Sequence, residues 1–95
     1  MLKTKKFDIV DYLKTEKDIS EYLNVVLEEK DYKFLPAALA DIARARKAMT
    51  AAAKAAGVTR TSLYQSLSEE GNPGFETVAK VAHSLGYKIT FVPIA

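Results

Sequence analysis

The chain has 95 residues, no cysteine, a single histidine and a formal net charge of +2. That length supports one small core burying about two-thirds of the unfolded surface, and the missing cysteines exclude a disulfide framework, a thiolate nucleophile and a cysteine-ligated zinc site. His83 alone builds no metal site, nothing calls for a cofactor, and the opening "MLKTKKFDIVDYLK" holds no apolar run of signal-peptide or membrane-span length, so a cytoplasmic protein is expected.

In chain order, Asp8 to Leu13 is expected to form one short helical segment. Thr15 then caps a firmer helix, with Asp18 completing a capping-box variant, and Ile19, Tyr22, Leu23, Val26 and Leu27 recur at helical spacing. That stripe faces either the core or a partner. The next helix runs roughly from Lys33 to Ala48, where Pro36 is tolerable only in the first turn and Leu35, Leu39, Ile42 and Ala43 make the buried face. Thr50 reads as the N-cap of a short alanine-rich helix that stops at Gly57 in the left-handed region, and Thr59 as the cap of a helix running to about Ser68.

"SEEGNPG", Ser68 to Gly74, is dense in helix breakers and reads as a loop. A last helix over Phe75 to Leu85, ending at Gly86, turns Val78, Val81, Ala82 and Leu85 inward. "YKITFVP" then alternates as a strand up to Pro93. The expected fold is all-α: a compact helical domain with an N-terminal helical segment over residues 1–30, a helical unit over 31–95 and one C-terminal strand.

The charge is unevenly placed. Residues 1–32 hold six lysines against eight carboxylates, a net −2, whereas residues 33–95 hold eight basic residues against four acids, a net +4. From Ile42 to Leu67 there are five basic residues, Arg44, Arg46, Lys47, Lys54 and Arg60, and no acid. The positive field thus falls on the stretch "AAAKAAGVTRTSLYQSL", Ala51 to Leu67.

That stretch has the features of a helix-turn-helix. Such a motif needs a small residue where the second helix crosses the first, a glycine at the turn, and apolar residues that lock the crossing angle. Ala53, Gly57, Val58, Leu63 and Leu67 meet these needs. A plain helical hairpin in the core would satisfy the same spacing. It would not explain a second helix that opens on a capped "TRTS" and lacks acids throughout, as a surface meeting phosphates requires. The early outward residues Arg60, Thr61, Ser62 and Gln65 are the candidate base readers: arginine can bond a guanine edge twice and glutamine an adenine edge twice. Thr59, Tyr64, Lys54, Arg44, Arg46 and Lys47 are the candidate phosphate contacts.

No enzyme is expected, because no serine lies in a pattern with a second histidine and "GNPG" lacks the lysine and spacing of a phosphate loop. A protein-interaction module that does not bind DNA is the rival among non-enzymes.

"LPAALADIARAR" followed by "AAKAAGVTRTSLYQSLSEEGNPGFETVAKVAHSLG" resembles the probable addiction-module antidote proteins, HigA-like antitoxins with a Cro/CI-type helix-turn-helix. The upstream "FDIVDYLKTEKDISEYLNVVLEE" is similar to their N-terminal segment, so the likeness covers nearly the whole chain. The resemblance implies a DNA-binding antitoxin that pairs with a RelE-like ribonuclease toxin and represses its own operon, with Thr50 to Ala56 as the first motif helix and Thr59 to Ser68 as the recognition helix. A phage-type Cro/CI-like regulator without a toxin partner is the alternative. One departure stands out: the first helix is almost all alanine where many Cro/CI-type proteins carry a glutamine that braces the phosphate backbone.

Two partner surfaces are expected besides DNA. Tyr87, Ile89 and Phe91 lie on one face of the C-terminal strand, which should pair with its copy in a homodimer reading a near-palindromic operator, or else with Lys3 to Phe7 of the same chain. The acidic residues 7–30 suit a basic toxin, helped by the exposed part of the Tyr22 and Val26 stripe.

Overall fold

The computed structural model describes residues 7–28 and 32–95. It contains five helices among them: α1 Glu16–Glu28, α2 Leu35–Ala45, α3 Met49–Ala56, α4 Arg60–Leu67 and α5 Phe75–Ser84, with 3-10 turns at Ile9–Tyr12 and Tyr32–Phe34. The fold is all-α and compact, built around α2, which packs on each of the other four helices, while α3 lies most extensively against α5.

Local chemistry starts two of these helices as the sequence implies. The Asp18 amide donates to Thr15 Oγ1 at 3.1 Å and the Thr15 amide donates to Asp18 Oδ2 at 3.0 Å, a reciprocal capping box that satisfies two otherwise orphaned donors. The amides of Lys14 and Thr15, both donating to its Oδ2, hold the Asp18 carboxyl below its ordinary range. Thr59, in an extended conformation, accepts from the Ser62 amide at 3.1 Å and caps α4.

Three helices end in the same way. In each, a residue in the left-handed region follows the last turn, and the next amide reaches back five residues to an unpaired carbonyl, the Schellman arrangement. Tyr87 donates to the Ala82 carbonyl past Gly86, Val58 to Ala53 past Gly57, and Ala48 to Ala43 past Lys47. Glycine is expected at such positions; Lys47, at φ 54°, is not. This is why α2 stops at Ala45 rather than continuing to Ala48. The early stop also overturns the assignment of Thr50 as an N-cap: α3 begins at Met49 with Ala48 at its cap and no side-chain cap bond.

The core joins Ile42, Ala43, Met49, Ala52, Ala53, Leu63, Leu67, Val81, Ala82 and Leu85, with Leu13 and Ile19 from the N-terminal part. No polar or charged side chain is buried among the described residues. A further constraint is Gly71, whose added Cβ would collide with the carbonyls of Gln65 and Ser66, so the loop after α4 folds back too closely for any side chain.

The expected C-terminal strand is not formed. Residues 87–95 make no strand among the described residues, because a strand exists only through a neighbour's backbone. Of the two neighbours expected, a second copy lies outside a single chain, and residues 3–6 lie outside the described residues.

Candidate nucleic-acid interface

α4 turns Leu63 and Leu67 fully inward, and this fixes which of its residues face solvent. Arg60, Thr61, Ser62 and Gln65 are all exposed, so the four candidate base readers share the outer side of one short helix. Ser62 is held locally, accepting from the Thr59 hydroxyl at 2.9 Å, which ties it to the cap and leaves Arg60, Thr61 and Gln65 the freer side chains. Tyr64 is half-buried against the core, and the Arg60 guanidinium lies 5.6 Å from its ring centroid. Its ring therefore lies within cation–π distance of Arg60.

The turn between α3 and α4 is set by Gly57 at φ 74° and by the buried Ala53 beneath it. Val58 does not join the lock, since it keeps 41% of its surface exposed; the crossing is held by Ala53, Leu63 and Leu67. Lys54 projects from α3 into solvent, and Lys47 is exposed at the end of α2.

The other two basic candidates are engaged elsewhere. Arg44 forms a two-pronged bond to the Asp8 carboxylate at 3.2 and 3.3 Å and a third to Asp41 at 3.0 Å. The Asp8 contact, with the Asp41 one, raises the arginine's own pKa, and Arg44 in turn depresses that of Asp8. Arg46 bonds Glu16, the Leu85 carbonyl and, at 3.3 Å, the Tyr87 hydroxyl, with its guanidinium 5.4 Å from the Tyr87 ring centroid. Both arginines thus fasten the N-terminal segment and the tail to α2. What remains around α3 and α4 is Lys47, Lys54 and Arg60, with no acid on either helix.

The N-terminal segment is rearranged in a similar way. The Tyr22 hydroxyl donates to Asp41 at 2.8 Å and its pKa is raised by burial and by that carboxylate, so Tyr22 packs inward, with Val26 half-buried beside it. Sequence spacing of 19 residues gave no signal for that bond. The exposed large apolar residues of this segment are instead Val25, Leu27, Phe7 and Tyr12, the last two stacked at 5.3 Å between centroids. His83 is exposed, and no group of three or more potential metal ligands lies together among the described residues. No described helix is long and apolar enough to cross a membrane.

Fold and surface together define a small all-helical protein with an acid-free helical face and an acidic N-terminal arm strapped to it. Residues 3–93 match the model of the family described as "Probable addiction module antidote protein", and the chain belongs to that family. It is also 46% identical over 81 residues to a Haemophilus influenzae (strain Rd) protein described as "Uncharacterized protein", an alignment covering 85% of this chain and 82% of that one. No solved structure matches the chain. An antidote acts against a toxin, so family membership implies an antitoxin role and a toxin partner of some kind.

Proposed function

We propose that the chain is a HigA-like, DNA-binding antitoxin in which α3 and α4 form a Cro/CI-type helix-turn-helix. In this reading it represses its own operon as a cytoplasmic homodimer, neutralises a RelE-like ribonuclease toxin, and has a binding rather than a catalytic role. The observation that carries the proposal is the outer face of α4: a Thr59-capped, acid-free helix start presenting Arg60, Thr61 and Gln65 while Leu63 and Leu67 anchor the opposite side. A helix so placed enters a major groove by its N-terminal end, where orphaned amides and the positive end of the dipole favour phosphate.

Three basic side chains per protomer, Lys47, Lys54 and Arg60, are few for a DNA-binding surface. A dimer doubles them and spans two half-sites about 34 Å apart, so dimerisation is built into the affinity. With Lys47 and Lys54 of both copies on phosphates, four contacts, log K against log salt should fall with a slope of roughly −4. The tail residues Tyr87, Ile89 and Phe91 supply the dimer contact. The toxin is received by the acidic outer side of α1, where Glu21, Val25 and Glu28 form one stripe, together with the Phe7 and Tyr12 pair.

Binding of operator and scrambled DNA by three variants tests the DNA reading. Arg60→Ala combined with Gln65→Ala should lose roughly 1 to 3 kcal/mol at each base pair read, and with it the preference for operator. Lys54→Ala should weaken both DNAs alike and lower the salt slope by about one. Arg44→Ala should leave the slope unchanged. Full operator preference in the double variant would sink the assignment of α4.

A further inference from the structure

A groove of about 1070 Å³ opens between α1 and α5. Its walls are Leu23 and Leu27 of α1, Leu35 and Leu39 of α2 and Val78 of α5, and the chain's own Ile89 closes one side. The acids of α1 do not line it. Among the described residues its charged lining is Lys33, Lys88 and Glu69, a small net positive charge against a mostly apolar wall, so the groove suits an uncharged apolar occupant rather than a strongly cationic one.

The chain carries a segment of that chemistry. Residues 89–95, "ITFVPIA", hold no charged side chain, and Phe91, Val92 and Ile94 are 90%, 77% and 96% exposed. Tyr87 pins the start of this tail: its hydroxyl bonds Glu16 at 3.4 Å and accepts from Arg46 at 3.3 Å, while the residues beyond it run along the groove's edge as its wall. A segment that forms the wall of a groove does not also fill it, but the same segment of a second copy can.

We propose that this groove receives residues 91–94 of a second copy's C-terminal tail, each copy filling the other's groove about a two-fold axis. The proposal rests on the homodimer put forward above and gives that dimer its contact surface. Phe91, Val92 and Ile94 together present roughly 400 Å² of side-chain surface. The smaller area of groove wall they would cover, counted with them for both exchanged tails, brings the total to roughly 1,400 Å², within the range of a specific interface.

The absence of native cysteine makes a clean test possible in the full chain. Leu27→Cys and Ile94→Cys proteins are prepared separately, mixed in equal amounts and oxidised. The expected product is a disulfide-linked pair containing one of each, with either protein alone linking far less. Phe91→Asp introduced into both should abolish the link and weaken the dimer at least tenfold by light scattering. A dimer that gives no mixed link, or an Ile94→Cys protein that links only to itself, places the tails against each other; it overturns the groove assignment and leaves the homodimer standing. A chain that stays monomeric overturns both. Protection of Leu27→Cys from alkylation only when toxin is added assigns the groove to the toxin and overturns the proposal.

Discussion

The N-terminal segment, residues 7–28, and the four-helix body from α2 to α5 are attached to the same core by different chemistry. The body is held by apolar burial, with Ile42, Leu63, Leu67 and Val81 its largest fully buried side chains. The N-terminal segment buries only Leu13 and Ile19 in that core, lays Ile9, Tyr22 and Leu23 half-buried against it, and is further strapped on by polar bonds: Asp8 to Arg44, Glu16 to Arg46 and Tyr22 to Asp41. The difference shows that charge counted along a sequence is not charge available on a surface. Two of the five basic residues between Ile42 and Leu67 neutralise acids that lie about 30 residues or more upstream, so the face left for phosphates is narrower than the count suggests.

The largest effects separate the two regions directly. Leu63→Ala, at a fully buried site shared by the body, should cost about 2 to 5 kcal/mol and lower the urea midpoint of the whole chain. Ile19→Ala removes the only buried residue of α1. If the arm is an attachment rather than part of the body, amide exchange in residues 16–28 should rise while α3 and α5 stay protected. Equal loss of protection in all helices would show that the two regions are one cooperative unit and dissolve the distinction.

Inside the body, two positions with the same backbone role carry different residues and should respond with opposite sign. Gly57→Ala places a Cβ at φ 74° and should destabilise by about 1 kcal/mol. Lys47→Gly relieves the same strain at φ 54° and should stabilise by up to about 1 kcal/mol, set against the greater chain entropy of glycine. Thermal melts of the two variants decide it. Because Lys47 is also a proposed phosphate contact, a Lys47→Gly protein that is more stable yet binds all DNA more weakly would show a left-handed lysine kept for its charge.

The same pair explains what was legible in the sequence. Most helix starts and stops are written in local residues, as at Thr15 with Asp18, Thr59, Gly57 and Gly86, while Thr50 caps nothing. From Ala45 to Ala56 every residue but Thr50 is an alanine, lysine, arginine or methionine, all good helix formers, so nothing local marks the break at Lys47, and burial of Met49 sets where α3 begins. Gly71 was visible only as a loop glycine, because its close approach to the end of α4 is a tertiary fact. At the candidate interface, the alternation of inward and outward residues on α4 was readable from Leu63 and Leu67. The loss of Arg44 and Arg46 to ion pairs was not, since no periodicity relates Asp8 to Arg44. The tail alternates as a strand should, and a single chain offers it no pairing.

The smallest effect tests the polar side of the comparison by pH. Asp8 is held below the ordinary carboxylate value first by the Arg44 bond and then by the Val10 amide, and Asp18 by the amides of Lys14 and Thr15. A carboxyl whose folded pKa lies below its unfolded value near 3.8 stabilises the fold fully above that value, and loses this contribution as pH falls through the depressed folded pKa. Both groups belong to the N-terminal arm and tie it to a neighbouring element or start its helix, whereas the body's one carboxyl lowered in the same way among the described residues, Glu76, is exposed and bonds only Lys80 of its own helix. Acid should therefore loosen α1 before it loosens α3 or α5. Asp18→Asn should be less stable than the parent at pH 6, and the gap should close as pH falls below 3.8 and through the depressed folded value, where the parent carboxyl is protonated as well. Urea titrations across that range, with amide shifts of Thr15 and Asp18 followed alongside, measure it. A gap that persists unchanged at low pH would mean that Asp18 works through the shape of its hydrogen bonds and not through its charge, and the arm would then be strapped by geometry more than by electrostatics.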